Sequence, residues 1–502
     1  MKIVRKYLPL LLLLVSLPVV AQDAPVRLTI LHVNDVYQFL PVDKGERGGL
    51  ARLMTIKKDV LEQNPNTVFT LGGDTISPSA ESLDFKGAQM IEAWNMVGID
   101  YAVLGNHEFD FKSAELIKRM QESKFPWLGA NVWDNNTKKI FGGLPEYEVK
   151  RVDGVKVGFI GFLLPETKKT SRMDAWLEVK NVCETARAIV PKMRAAGINT
   201  IVALTHLSMN EDKELAGCAD IDLILGGHEH TLLQSSANGI PIFKMTADAR
   251  EVGRFDLFID PKTGKLRSMD WEVMPVNSKV VEDPAFIAIL TKYKDTLVSL
   301  ATRIGYTGVE LDATSLSSRT IETNMANFVT DIYRDAVSAD AALINGGSIR
   351  ADFLFERGPL TKRDVKSIMP FDNKIVKLKM SVKLLREVLE HGVSKSAEDH
   401  EPGQFPQVSG IGYTFDAKKP AGSRIVEIRG ANCKPLGENA EITVATSAYL
   451  YDGGDGYSML KKATLIDNST PPTEIAVFEQ VVKNAPNRTI APKIEGRIVR
   501  IN

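Results

Sequence analysis

Short runs of β-branched and aliphatic residues alternate, through the first half of the chain, with stretches whose apolar residues recur every three or four positions. The period-two or continuous apolar runs Thr67 to Leu71, Ala102 to Leu104, Val155 to Ile160 and Thr200 to Leu204 predict strands, and Leu50 to Leu61, Gly87 to Val97, Ser113 to Glu122 and Val182 to Ala196 predict helices. Alternation of this kind from Val26 to about Ile259 predicts a layered α/β domain. A turn at Asp260 to Gly264 and a closing strand near Met269 to Met274 follow, and then a helical run from Pro284 to about Arg303. The pattern changes near Ile304. A helix at Asn324 to Ala336, short strands, a helix at Val382 to Val393 and turns rich in Gly, Pro and Asp predict a mixed α+β domain.

Five of the apolar runs stop at side chains able to bind metal: Asn34-Asp35, Gly72-Gly73-Asp74, Gly105-Asn106-His107, Thr205-His206 and Gly226-Gly227-His228-Glu229-His230. Buried parallel strands read as short apolar runs, and α/β sheets gather functional groups at the strands' carboxyl ends. Two metal ions about 3.5–4 Å apart neutralise phosphate oxygens and supply a nucleophile at neutral pH, and such a centre needs a shared carboxylate with imidazoles and oxygens around it. Taken singly, Asp74 after a Gly pair reads as a turn or helix cap, and Asn106 as a turn residue. Four of the seven histidines nevertheless fall at strand ends beside glycines, which chance placement explains poorly. His32 lies three residues before Asp35 on the opposite face of its strand and reads as structural, as do His391 and His400.

Length and composition bound the rest. At 502 residues the chain is too long for one core, and 44% hydrophobic residues, 25% charged residues and a formal net charge of -1 describe an ordinary globular protein. No polybasic tract points to a nucleic acid polymer or an anionic membrane. Lys2, Arg5 and Lys6, the apolar stretch Leu8 to Val20 and the small residues before Gln22 predict a signal peptide cleaved after Ala21, with no stable membrane anchor. A periplasmic or secreted protein follows. With only Cys183, Cys218 and Cys433, a fully paired framework is excluded; Cys183 with Cys218 is a possible bridge.

The segments Leu31-His32-Val33-Asn34-Asp35, GGDT at Gly72, GNHEFD at Gly105, GANV at Gly129, TH at Thr205 and GGHEH at Gly226 resemble the metallophosphatase domain of the secreted 5′-nucleotidases, a family of calcineurin-like phosphoesterases. Residue by residue, the resemblance implies Asp74 as a bridging ligand, Asn106, His206 and His228 on one metal, and Asp35 and His230 on the other. It implies His107 as the catalytic histidine and Asp110 as the carboxylate that orients it. By its position alone, Asp110 is also a candidate cap for a helix from Phe111 to Met120. Two divalent ions, zinc, manganese or similar, are the implied cofactors. The family's usual histidine two residues after the first aspartate is replaced here by Tyr37. That leaves open a phenolate ligand, a water in its place, or a weakly binding first site.

The second half resembles the C-terminal domain of the same family through Glu322 to Asn327, Asn345 to Arg350, Pro370 to Asn373 and Tyr449 to Gly456. Phe371 and Tyr449 occupy the positions of two aromatic side chains that hold a nucleobase in the family. An aromatic clamp also has a physical rationale, since stacking contributes about 1–3 kcal/mol per base and tolerates different bases. Asn345 and Arg350 resemble the family's substrate-binding pair, Asp455 the residue that meets the ribose hydroxyls, and Asn373 a base contact; Arg319 lies near the opening segment and is left unassigned.

The expectation is therefore an α/β protein: a layered β-sandwich metallophosphatase domain flanked by helices (26–283), a helical connector or hinge (284–303), and a mixed α+β substrate-binding domain (304–502). The expected reaction is hydrolysis of the phosphate ester of a nucleotide substrate, foremost a nucleoside 5′-monophosphate. A 2′,3′-cyclic nucleotide phosphodiesterase, a nucleoside di- or triphosphate or nucleotide-sugar hydrolase, a sulfur-ester hydrolase on the same scaffold, and an inactive nucleotide-binding protein remain alternatives. Metal identity, base preference and oligomeric state stay open.

Overall fold

The computed structural model describes residues 24–397, 401–466 and 470–501. The expected signal peptide and His400 lie outside the described residues.

Two six-stranded sheets dominate the first half. In the first, Val26–Val33, Thr67–Leu71, Tyr101–Val103 and Trp127–Leu128 run parallel, and Glu251–Ile259 and Leu266–Pro275 add an antiparallel edge. In the second, Val155–Leu163, Thr200–His206, Leu223–Gly226 and Ile240–Lys244 are parallel, with antiparallel strands at both edges. The sheets share a core of Leu28, Ile30, Val68, Val157, Phe159, Val202, Leu204 and Leu223, all fully buried. Their outer faces carry helices: Leu50–Gln63, for example, buries Leu50, Leu53, Met54, Ile56 and Val60 at helical spacing. This is the expected β-sandwich flanked by helices, and it brings the carboxyl ends of parallel strands from both sheets to a common region.

The helical run predicted from Pro284 to Arg303 is broken. A short 3-10 turn, Pro284–Phe286, leads into Ile287–Lys292 and Lys294–Leu300, and Arg303 already begins the strand Arg303–Thr307. The break falls at Tyr293, whose ring packs on Phe39 and Phe85 and whose hydroxyl donates to Glu92 at 2.8 Å. Burying that one side chain against the first half outweighs continuous helix.

The second half centres on a five-stranded sheet in the order Pro406–Ser409, Ala341–Asn345, Glu441–Ser447, Ile375–Ser381, Thr464–Ile466. The helices Asn324–Ala336 and Glu474–Asn484 share one apolar core with it, and Val382–Gly392 belongs to another. Cys183 and Cys218 form a disulfide, and Cys433 is free and exposed. Among the described residues no helix is long and apolar enough to cross a membrane.

Candidate metal centre and substrate cleft

Asp35 and Asp74 follow two adjacent parallel strands, so their carboxylates emerge side by side, and His206 ends a strand of the other sheet. Ligand atoms of Asp35, Asp74 and His206 lie within 4.8 Å of one another, all three residues buried. His206 Nδ1 donates to the Gly72 carbonyl at 2.8 Å, which turns Nε2 toward the carboxylates, 3.2 Å from Asp74 Oδ2. His230 Nε2 is 3.3 Å from Asp35 Oδ1, and the His228 ring packs on that of His206 with centroids 5.2 Å apart. The neighbouring His230 and His206 imidazoles hold the Asp35 carboxyl below the usual carboxylate range, although burial acts more strongly than either one in the opposite sense.

Two buried atoms test whether these residues suit a metal. Asn106 Oδ1 is buried without a hydrogen-bond partner, and His206 Nε2, though 3.2 Å from Asp74 Oδ2, makes no well-aligned hydrogen bond. Leaving a buried polar atom such as Asn106 Oδ1 unsatisfied costs about 1–3 kcal/mol, and coordination to a cation would remove that cost. The two carboxylates and the His206 imidazole form a donor set suited to a divalent ion, with the His230 and His228 imidazoles beside it.

The backbone is strained to hold this set. Asp35 (φ 53°), Asp74 (φ 56°), His228 (φ 91°) and His230 (φ 56°) are all left-handed. Such conformations cost on the order of 1–3 kcal/mol each and persist where the surroundings over-determine them. Glu108 does this for Asp74: its buried carboxylate accepts from the backbone N–H of Gly105, Asp74, Thr75 and Ile76. Burial and the Asp74 charge push Glu108 up to about 7. Gly105 is required by close approach, since a Cβ there would lie 2.1 Å from Asp74 Oδ1. Asn34 does the same for Asp35, donating from Nδ2 to Asp35 Oδ2 at 2.7 Å and accepting from Met245 N–H at 2.7 Å.

Tyr37 points into the centre. Its hydroxyl lies 3.3 Å from Asp35 Oδ1, 3.2 Å from Asp74 Oδ2 and 2.9 Å from His230 Nε2. Burial, followed by the two carboxylates, raises the phenol well above its ordinary value, so the protonated form is favoured here.

His107 follows Asn106, and its backbone N–H donates to Asp74 Oδ1 at 2.8 Å. Its Nδ1 is 2.7 Å from Asp110 Oδ2. Asp110 is thereby committed to the imidazole: the following helix, Lys112–Glu122, starts from Phe111 with no side-chain cap.

The second half closes over these residues. Arg350 lies over the Tyr37 ring, 5.8 Å from its centroid, and Phe371 stacks on His107. Tyr449 instead donates its hydroxyl to Asp455 Oδ1 at 2.8 Å, while Asn345 Nδ2 donates to Asp455 Oδ2 at 2.6 Å. Asn373 is engaged from the first half, accepting from Arg172 at 2.8 Å. Arg319, unassigned from sequence, is half-buried and pairs with Glu401 at 3.7 Å, while desolvation and next the Arg350 charge lower its pKa; its Nε has no hydrogen-bond partner. Two further residues bear on the site, of which only Glu108 escaped the sequence reading. His391 has a structural role but supports the substrate loop, its Nε2 bonding the Asp455 carbonyl at 2.8 Å. Glu108 stands inside the GNHEFD segment, and its spacing of three from Gly105 is the available signal.

Residues 28–232 match the model of the calcineurin-like phosphoesterases, and residues 303–462 that of the 5′-nucleotidase C-terminal domain. The trifunctional nucleotide phosphoesterase protein YfkN of Bacillus subtilis (strain 168) is 30% identical over 94% of this chain, which spans 35% of that relative's length. The 5′-nucleotidase of Homo sapiens is 27% identical over 94% of this chain and 90% of its own. The crystal structure of the 5′-nucleotidase precursor from Thermus thermophilus superposes with a TM-score of 0.88 at 27% identity, covering 95% of this chain and 99% of that one. The chain belongs to the 5′-nucleotidase family, with a calcineurin-like metallophosphatase domain followed by a 5′-nucleotidase C-terminal domain.

Proposed function

We propose that this protein hydrolyses the phosphate ester of nucleotides, foremost nucleoside 5′-monophosphates, to nucleoside and phosphate. The observation that carries the reading is the buried cluster of Asp35, Asp74 and His206, whose ligand atoms lie within 4.8 Å of one another, with His230 Nε2 3.3 Å from Asp35. In this reading two divalent ions, zinc, manganese or similar, would share Asp74. Asn106, His206 and His228 would hold one of them, and Asp35 and His230 the other. When bound, the ions neutralise phosphate oxygens and make a water nucleophilic at neutral pH.

The chain's own groups do the remaining work. Asp110 fixes the His107 ring through Nδ1, which leaves Nε2 to carry a proton toward the departing ester oxygen. Arg350 presents a planar fork of donors to the phosphate. Asp455, held by Asn345 and Tyr449, accepts from the ribose hydroxyls, and Phe371 and Tyr449 flank the base. Asn373 contributes a base contact once released from Arg172.

Residues 26–283 form the metal-binding domain in this reading, 284–303 a connector about which the halves rotate, and 304–502 the substrate domain. Residues 1–21 act as a cleavable export signal, placing the enzyme in the periplasm or outside the cell. Phosphate release from purified mature protein, across AMP, GMP, CMP, UMP, ADP and 2′,3′-cyclic AMP, tests the reading. Preferential release from the 5′-monophosphates supports it, and release only from the cyclic or diphosphate substrates would replace it.

A further inference from the structure

Beneath the centre lies a buried lysine with no place in the chemistry above. Lys244 ends the strand Ile240–Lys244, where its register partner is Gly226, and it is 1% exposed. Its Nζ donates to the carbonyls of Leu207 and Gly227, the latter at 2.9 Å, and to the Glu229 carboxylate, and it lies 2.9 Å from Asp212 Oδ2. Leu207 directly follows His206, Gly227 directly precedes His228, and Glu229 separates His228 from His230. One ammonium group thus touches both segments that carry the imidazoles.

The surroundings are built for it. Asp212 is fully buried and accepts from Thr205 Oγ1 at 2.7 Å, and Glu229 accepts from the Met209 N–H at the start of the helix Met209–Cys218. A Cβ on Gly226 would sit 2.8 Å from Thr205 Oγ1 and 3.1 Å from Lys244 Cε, so glycine makes room for the chain of the lysine. Burying an ammonium is costly unless it is paired and hydrogen-bonded, and here two carboxylates and two carbonyls supply those partners. What the arrangement holds is the segment Gly227–His230, in which both histidines are left-handed. The Lys244 ammonium contacts this strained loop at two points, the Gly227 carbonyl and the Glu229 carboxylate.

We infer that Lys244 is a positioning residue of the metal centre, its ammonium group fixing the separation between His206 and the His228–His230 loop through the Leu207 and Gly227 carbonyls. Asp212 and Glu229 keep that ammonium in place. The inference rests on the two-metal reading.

Metal dissociation constants for manganese and zinc, measured by equilibrium dialysis against a chromophoric chelator, test it on Lys244→Met and Glu229→Gln in the full mature chain. The expected result is binding at least about tenfold weaker for Lys244→Met, the range typical of groups that orient ligands, and a smaller loss for Glu229→Gln, which keeps the ammonium. The rise in Tm on adding metal should shrink in the same order, while KM for AMP at saturating metal stays within about twofold of the parent value. A role confined to packing would lower Tm equally with and without metal and leave the dissociation constants unchanged, which would overturn the inference. If circular dichroism shows Lys244→Met unfolded, Glu229→Gln decides: unaltered metal affinity overturns the inference, and weakened affinity supports it. A parent protein that binds no metal would overturn the two-metal reading itself.

Discussion

The Phe371 ring lies nearly parallel to the His107 imidazole, with 6.0 Å between centroids and 21° between planes. One residue comes from the second half and the other from the first, so the two halves meet at this pair. Arg363 with Glu81 at 2.7 Å, Lys366 with Asp84 at 3.1 Å and Lys395 with Glu166 at 3.3 Å span the same gap. In the proposed reading a nucleotide would enter by separating these surfaces, and Phe371 would exchange the imidazole for a base.

Phe371→Ala therefore weakens recognition of the base more than it slows chemistry. The expected result is a KM for AMP about tenfold higher, equivalent to the 1–3 kcal/mol of a stacked base, with turnover of p-nitrophenyl phosphate changed little. Steady-state kinetics on both substrates check this; an equal loss on each would place Phe371 in the core rather than on the substrate.

His107→Ala removes the group that faces the leaving oxygen in the proposed reaction. We expect kcat for AMP to fall by about 10²–10⁴, with metal content by elemental analysis unaltered. Asp110→Asn should give a smaller fall, since the imidazole remains but loses the carboxylate that fixes its tautomer. Loss of metal from His107→Ala would assign the residue to ligand support instead.

Tyr37→His replaces a protonated phenol in contact with Asp35, Asp74 and His230 by an imidazole. The substitution should tighten metal binding at the Asp35–His230 side by about tenfold, because a donor that competed for the carboxylates becomes a ligand. Calorimetric titration of the metal-stripped protein with manganese resolves the two sites. Weaker binding in the variant would show that the tyrosine oxygen is itself a ligand.

Much of the centre was legible because the signal is local. Asp35, Asp74, Asn106, His206, His228 and His230 each stand at the end of an apolar run, and a strand that stops at a polar side chain can be read without knowing its neighbours. The helix Asn324–Ala336 was equally plain, with apolar residues at helical spacing and Thr323 accepting from Ala326 N–H as its cap. Lys244 was not legible. A lysine closing a short strand reads as a solvated end, and only the packing of Asp212, Glu229 and two carbonyls from distant segments reveals a buried cation. The break at Tyr293 was hidden for the same reason, since its partners Phe39 and Phe85 lie more than 200 residues away. Phe371 illustrates the middle case: its side of the cleft followed from the loop, but its stacking on His107 depends on how the two halves meet.

Glu474 offers a pH test in the second half. It is 1% exposed, accepts from the Tyr333 hydroxyl, and burial pushes it up to about 7 from 4.5. Between those values the unfolded chain releases a proton that the folded chain retains, so this group's contribution to stability falls as pH rises through that window. Glu474→Gln, which still accepts from Tyr333, should be more stable relative to the parent at pH 8 than at pH 4.5, by on the order of 3 kcal/mol. Denaturant unfolding at both pH values measures the difference, and a gap independent of pH would contradict the assignment.

The most direct test of the central claim is phosphate release from AMP as metal-stripped protein is titrated with manganese or zinc, with bound metal counted on the same samples. The account predicts no release without metal and activity that rises to a plateau as occupancy reaches two ions per chain. Full activity in excess chelator, or no release at full occupancy with manganese, zinc, cobalt or iron, would contradict it.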